Sequence, residues 1–186
     1  MMPQLVVTTA EELDQLMETV RAAAERTVRA VRDILSTEED SLQVLRMMKF
    51  SEIGHHPLDD RPLNLIEQVN QTFTYLVTFE AARWLLVQHP GLEGLRINLG
   101  TSAGYDLESC PPGTVAAEAF AATRPGSNDK LRKEIARLAS KAGDVAHRYV
   151  FFSAPKFVSG RQAQLESVAG VQVWSFSAER LLKGAT

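Results

Sequence analysis

Apolar residues recur at helical spacing over roughly the first quarter of the chain. Residues 9–12 (TAEE) have the form of a capping box, which predicts a helix start. An apolar stripe with spacings of three and four residues then runs from Leu13 to Leu35. Residues 36–39 (STEE) repeat the capping signature and predict a shorter helix to about Lys49. A helix this long must bury its stripe, either against the domain or against a second copy in a homodimer.

A polar loop at 51–62 separates these helices from a further helix predicted over 63–89, which ends at a Pro-Gly pair. Its apolar stripe is interrupted by Glu80, and a polar stripe that includes Glu67 follows another face. A buried carboxylate needs a partner such as an arginine, a hydrogen-bond donor or a metal.

Strand-like segments dominate the second half of the chain. Their pattern predicts strands at 96–99, 105–108, 114–122, 147–153 and 171–176, with helices at 130–142 and 162–168. The order α-α-α-β-β-β-α-β-α-β predicts an α/β fold with a mixed sheet of four to five strands flanked by helices. We expect a helical extension at 1–50 and an α/β core at 51–186, together forming a single compact domain.

Composition places the chain among ordinary globular proteins. Of its 186 residues, 45% are hydrophobic and 23% charged, and no apolar run is long enough to span a bilayer. The first seven residues (MMPQLVV) lack the charged and apolar regions of a secretory signal. Cys110 is the only cysteine, which is typical of a reducing, cytoplasmic setting.

Charge is distributed unevenly along the sequence. Residues 124–161 carry nine Lys and Arg against three acids, whereas residues 1–123 carry nine bases against eighteen acids. A basic segment beside an acidic one suggests a surface that faces a polyanion, and a solvated helix face explains it equally well.

Two carboxylates flank one predicted hairpin within Leu95–Phe120. Asp106 follows Gly104-Tyr105, and Glu118 lies on the strand after a Pro-Pro-Gly turn. Carboxylates on adjacent strand ends can share a divalent cation, and Mg²⁺ or Mn²⁺ prefers such oxygen ligands.

This arrangement resembles the PD-(D/E)XK (restriction-endonuclease-like) nuclease superfamily. The resemblance rests on Gly104-Tyr105-Asp106, Glu118 and the α-β-β-β-α-β order, and it covers about residues 63–176. It implies that Asp106 and Glu118 bind Mg²⁺, and that a lysine two residues after the second acid assists the attacking water. The chain has Phe120 at that position.

The missing lysine leaves two hypotheses. In the first, Lys130 or Lys133, at the start of the next helix, supplies the positive charge that the motif lysine would provide. In the second, the site keeps the nuclease geometry and no longer catalyses hydrolysis. Related nucleases often bring a Glu from the first core helix to the metal, so Glu80 is a third candidate ligand. Glu67 is its alternative, and Glu108 is either a further ligand or a solvated hairpin residue.

The first functional hypothesis is therefore a Mg²⁺-dependent endonuclease acting on DNA. Basic residues of the 124–161 segment would contact the phosphate backbone. Those expected to do so are Arg124, Lys130, Arg132, Lys133, Arg137 and Lys141. The alternatives are a catalytically inactive relative that binds nucleic acid or protein, and an ordinary α/β protein whose acids are incidental. The choice between DNA and RNA is left open.

Overall fold

A seven-stranded mixed sheet and five helices form the framework of the protein, seen in a computed structural model that describes residues 5–99, 104–141 and 144–183. The strands are β1 (Leu5–Val7), β2 (Gly54–His55), β3 (Pro62–Leu63), β4 (Gly94–Ile97), β5 (Leu107–Cys110), β6 (Val115–Ala121), β7 (His147–Ser153), β8 (Gly160–Arg161) and β9 (Val171–Ser175). The helices are α1 (Ala10–Thr37), α2 (Ser41–Phe50), α3 (Leu65–Gln88), α4 (Lys130–Lys141) and α5 (Ala178–Lys183).

The chain divides into two compact units. The helical unit comprises residues 15–75, and the sheet unit comprises the residues up to 14 and from 76 onward. Both α1 and α3 contribute residues to each unit. The expected boundary at residue 50 therefore falls inside the helical unit.

The large sheet has the order β1-β4-β5-β6-β7-β9-β8. Strands β4, β5 and β6 form an antiparallel meander, and β7 returns parallel to β6 after α4. The predicted α/β class with a mixed sheet and flanking helices is confirmed. The strand count was too low, because β1 and β8 are short edge strands defined by their partners β4 and β9.

The residues of β6 explain how α4 is held against the sheet. Strand alternation places Ala116, Glu118 and Phe120 on one face. Phe120 packs there with residues of α4 and β7, including Leu131, Ile135 and Phe152. The burial of this apolar layer fixes the inner face of α4 over β6.

Polar groups organise the interior of the helical unit. The buried Gln68 side chain accepts hydrogen bonds from Thr27 Oγ1 (2.5 Å) and the His55 backbone N–H (2.7 Å). His56 is 1% exposed, and its Nε2 lies 3.1 Å from Tyr75 Oη. Burial lowers the pKa of His56 and raises that of Tyr75 to about 12. The expected polar loop thus contains a buried histidine held between β2 and β3.

Helix starts were predicted with mixed success. The capping box is confirmed, since the Thr9 N–H donates to Glu12 Oε2 (3.1 Å) and the Glu12 N–H donates to Thr9 Oγ1 (3.3 Å). The second capping signature was wrong. The first helix continues to Thr37, and Asp40 caps α2 by accepting from the Leu42 N–H.

None of the helices within the described ranges combines the length and apolar character required to cross a membrane.

Candidate metal centre

Asp106 lies immediately before β5 and is fixed at both its backbone and its side chain. Its carbonyl oxygen accepts from the Asn98 N–H at 2.9 Å, which continues the β4–β5 pairing. Its Oδ2 accepts from the Ala119 N–H at 2.9 Å, so the carboxylate points toward β6. Gly104, two residues earlier, has a φ of +127°, a conformation that side-chain-bearing residues rarely adopt. The short Gly-Tyr-Asp segment thus aims the first acid at the second.

Glu118 occupies the middle of β6 and is 1% exposed. Its carboxyl group lies close enough to that of Asp106 for the Asp106 charge to raise the pKa of Glu118. Glu118 Oε1 is buried and has no hydrogen-bond partner among the described residues. The predicted pairing of these two acids is therefore present in the structure.

The environment of the two acids raises the pKa of both carboxyl groups. Burial raises the pKa of Asp106, although the Ala119 N–H opposes the rise by stabilising the carboxylate. Burial and then the neighbouring Asp106 charge raise the pKa of Glu118 to about 9, against the opposing effect of Arg137. Two neighbouring buried carboxylates repel each other unless a proton or a cation offsets one of the charges.

Helix α4 adds a third carboxylate and two cations to the site. Arg137 Nη1 lies 3.2 Å from Glu118 Oε2 and 3.7 Å from Glu134 Oε2. Arg137 Nη2 also donates to the carbonyl oxygen of Gly104. Lys130 Nζ lies 2.5 Å from Glu134 Oε1, one helical turn away. Arg137 therefore joins α4 to the acid pair directly, whereas Lys130 is paired with Glu134 within α4.

Phe120 faces the start of α4 and belongs to the core. It is 3% exposed and stacks on Phe152, with ring centroids 5.9 Å apart. Lys130 Nζ lies 6.0 Å from the Phe120 ring centroid, at the outer range of a cation–π contact. The ammonium group thus lies above the strand position at which the nuclease resemblance expects a lysine.

The other predicted basic residues differ in placement. Lys133 Nζ donates to the Asn128 carbonyl oxygen (2.9 Å), and Arg132 pairs with Asp129 (2.7 Å). Arg124, Arg132 and Lys133 are exposed. The side chain of Lys141 lies outside the described residues, although its backbone ends α4. Of the two predicted catalytic lysines, Lys130 is the one whose contacts connect it to the acidic site.

Glu80 is buried, as its place in the apolar stripe predicted, but its neighbours are arginines. It is 2% exposed, Arg180 Nε lies 2.5 Å from its Oε1, and Arg83 Nε lies 3.5 Å from its Oε2. The prediction of Glu80 as a metal ligand is not supported by this arrangement, since the two guanidinium groups supply the cation that a buried carboxylate needs.

The two remaining acidic candidates do not join the site through any contact described. Glu67 is exposed near the start of α3, where its N–H donates to Asn64 Oδ1 at 2.9 Å. Glu108 pairs across the strands with Arg96 at 2.8 Å. This pairing matches the hypothesis of Glu108 as a hairpin residue.

Glu134 is the site residue that the sequence analysis missed. It is 7% exposed and lies on the inner face of α4 with Leu131, Ile135 and Leu138. A carboxylate at three- and four-residue spacing from apolar positions was the signal that singled out Glu80, and the same signal applies to Glu134.

Across the described ranges, no group of three or more His, Cys, Asp or Glu side chains is arranged to hold a metal ion. The protein therefore offers Asp106 and Glu118 as a pair, while Glu134 is engaged by Lys130 and Arg137. Mg²⁺ commonly binds through one or two carboxylates and completes its shell with water and substrate phosphate.

Comparison with known proteins found no matching family model, no similar curated protein and no similar solved structure.

Proposed function

We propose that this protein is a Mg²⁺-dependent nuclease that hydrolyses phosphodiester bonds in DNA, with Asp106 and Glu118 as its metal ligands. The observation that carries the proposal is the buried acid pair, in which Glu118 Oε1 has no hydrogen-bond partner among the described residues. The strand order also supports it, because an antiparallel meander followed by α4 and the parallel β7 matches the α-β-β-β-α-β order of the nuclease superfamily.

The acid pair fits a divalent cation on physical grounds. Burial raises the pKa of each carboxyl group, and a cation between them would offset the repulsion that opposes full charging of the pair. The Ala119 N–H already orients Asp106, so its ligand geometry is established before any ion binds. Mg²⁺ or Mn²⁺ would supply a Lewis acid that polarises the phosphate and activates a bound water.

The protein groups around the pair suit a phosphodiester substrate. Lys130 places an ammonium group above Phe120, where it can stabilise negative charge on the phosphate. Arg137 holds Glu118 and Gly104 in place from α4. The exposed Arg124, Arg132 and Lys133 extend this positive surface toward a phosphate backbone.

A second candidate function follows from Arg137. Its guanidinium group already pairs with Glu118 and Glu134, so the protein carries an internal cation at the acids. Together with the core role of Phe120, this favours a nuclease-like scaffold that binds nucleic acid or a protein without hydrolysing either.

Calorimetric titration with Mg²⁺ and with Mn²⁺ tests the proposal. We expect the wild type to bind either ion, and Asp106→Asn and Glu118→Gln to abolish binding, since each removes a charged ligand. Glu108→Gln is the matched control, because Glu108 lies on the same hairpin and pairs with Arg96. It should bind as the wild type does.

Cleavage assays on supercoiled plasmid and on single-stranded DNA then separate the two functions. Metal-dependent cleavage that Glu118→Gln eliminates supports the nuclease. Absence of metal binding at millimolar concentration overturns it. Metal binding without cleavage of either substrate favours the non-hydrolytic scaffold.

A further inference from the structure

Exposed apolar side chains are concentrated in the helical unit. Of the thirteen large hydrophobic residues that are exposed in the described structure, eight lie within residues 15–75. They are Val28, Leu35, Leu42, Leu45, Phe50, Ile66, Val69 and Phe73. Exposed apolar side chains that share one helix face mark a candidate interaction surface.

Helix α1 carries two apolar stripes. The buried one contains Val20, Ala23, Thr27 and Ile34, which are at most 9% exposed. The second contains Ala24, Val28, Val31 and Leu35, at spacings of four, three and four residues. Val28 is 48% exposed and Leu35 57% exposed, whereas Ala24 and Val31 are half-buried. This second stripe has the spacing of a coiled-coil seam and extends over about 16 Å of helix.

We infer that the second stripe of α1 binds the same stripe of another copy of this chain, with the two helices antiparallel. In that orientation Val28 of one copy lies opposite Val31 of the other, and Leu35 lies opposite Ala24. Each large side chain then faces a smaller or equal one, so the seam can close. A parallel pair would instead set Leu35 against Leu35 and Ala24 against Ala24.

Charge on the border of the seam supports a second copy as the partner. Glu25 directly follows Ala24 and Arg32 directly follows Val31, seven residues apart, so the two charges border the same side of the seam. The antiparallel arrangement brings Glu25 of one copy beside Arg32 of the other, and the two-fold symmetry repeats the pair. The stripe is therefore complementary to itself in both shape and charge.

Sedimentation equilibrium of the full chain over a range of micromolar concentrations tests the inference. The wild type should sediment at twice the mass of one chain. Val28→Glu should sediment as a single chain, because it places a charge in the centre of the seam. A wild type that remains a single chain at every concentration overturns the inference and leaves the face to a different partner.

Charge exchange tests the antiparallel register on exposed residues that folding does not require. Glu25→Arg and Arg32→Glu should each weaken association about tenfold, because each sets like charges beside one another twice. The double variant Glu25→Arg with Arg32→Glu should restore association to the wild-type strength. Failure of the double variant to restore it overturns the antiparallel pairing.

Arg29→Glu provides the matched control. It makes the same charge change on the outer surface of α1, away from the seam, and should leave the association unchanged. Far-ultraviolet circular dichroism of every variant should match the wild type. The outcome is independent of metal binding and DNA cleavage, so it does not depend on the proposed nuclease function.

Discussion

At the residue scale, burial governs the chemistry of the acid pair. Glu118 lies in the middle of a strand that is buried along most of its length, and its carboxyl group borders Asp106. A carboxylate in such a place is costly unless a proton or a cation accompanies it. The same burial that fixes the geometry of the pair therefore makes its charge state responsive to pH.

Glu118 should make the metal-free protein less stable as pH rises. Its pKa is about 9 in the folded state and 4.5 as an ordinary Glu, so between these values the folded state holds a proton that the unfolded chain releases. This difference of one bound proton lowers the free energy of unfolding by at most about 1.4 kcal/mol for each unit that the pH rises. Thermal unfolding of Glu118→Gln across this window should show a smaller decline than the wild type. Equal declines would contradict a protonated Glu118.

Under the proposed function, the same residue should couple metal binding to proton release. Mg²⁺ requires the charged carboxylate, so binding near neutral pH expels the proton held by the pair. Calorimetry in buffers of different ionisation enthalpy should reveal that release for the wild type. Glu108→Gln should release the same number of protons, because Glu108 lies outside the pair.

Phe120 should not tolerate the lysine that the nuclease motif would place there. The ring is 3% exposed and packs in the core beneath α4. Phe120→Lys loses the ring and buries an ammonium group, which should lower the free energy of unfolding by at least about 3 kcal/mol. Phe120→Leu, which keeps an apolar side chain, should cost less than about 1.5 kcal/mol. Chemical denaturation measures the free energy of unfolding of both variants. A Phe120→Lys variant as stable as the wild type would contradict the core position of residue 120.

At the element scale, α4 decides what surrounds the acids. Leu131, Ile135 and Leu138 fix its inner face on the sheet. That face carries Glu134 inward with them, while Lys130 and Arg137 border it. Helix α4 therefore packs against the sheet through its apolar residues and also brings charged side chains to the acids of the β5–β6 hairpin.

Lys130 and Lys133 should differ in their effect on catalysis although both lie in the first turn of α4. Lys130 reaches Glu134 and Phe120, whereas Lys133 is bonded to the Asn128 carbonyl oxygen. Under the proposed function, Lys130→Met should lower the rate of DNA cleavage at saturating substrate about 100-fold, a typical loss for one charge-stabilising group. Lys133→Met is the matched control and should remain within a few-fold of wild type. Equal losses of cleavage rate in the two variants would contradict the proposed role of Lys130.

At the scale of the whole molecule, the excess of positive charge in 124–161 contrasts with the acidic remainder of the chain. Four of its exposed members, Arg124, Lys130, Arg132 and Lys133, lie at and before the start of α4, the helix that also covers the acid pair. A polyanion attracted to this region would therefore approach the candidate metal centre.

Under the proposed function, the salt dependence of DNA binding tests this distribution. Arg132→Gln should weaken binding about equally for all sequences and reduce the slope of log K against log salt by about 1, as expected for one lost phosphate contact. Arg46→Gln, a change of the same kind on an exposed residue of α2, should leave the slope unchanged. Fluorescence anisotropy over a salt series provides the measurement. Equal slopes for the wild type and Arg132→Gln would show that Arg132 makes no contact with a DNA phosphate.

The sequence by itself predicted α1 to α4 and the central strands, because their periodicity is local. The helix predicted at 162–168 was wrong, since only Ala163–Leu165 form a single 3-10 turn there. The pattern at 147–153 matches β7, and the capping box at Thr9 begins α1 where it was predicted. It also paired Asp106 with Glu118, since two strands joined by a short turn must lie side by side.

Tertiary structure decided which side chains meet across the fold. Glu80 fits the pattern of an inward-facing ligand, but Arg180, one hundred residues later, is its partner. Leu131, Ile135 and Leu138 fix the rotation of α4 about its axis, and this rotation places Lys130 and Arg137 near the acids. Local periodicity predicts a broad apolar face and does not determine that rotation. The same uncertainty in rotation concealed the division of α1 into a buried and an exposed stripe. Long-range packing resolves it, because packing alone determines which apolar positions have a partner in the same chain.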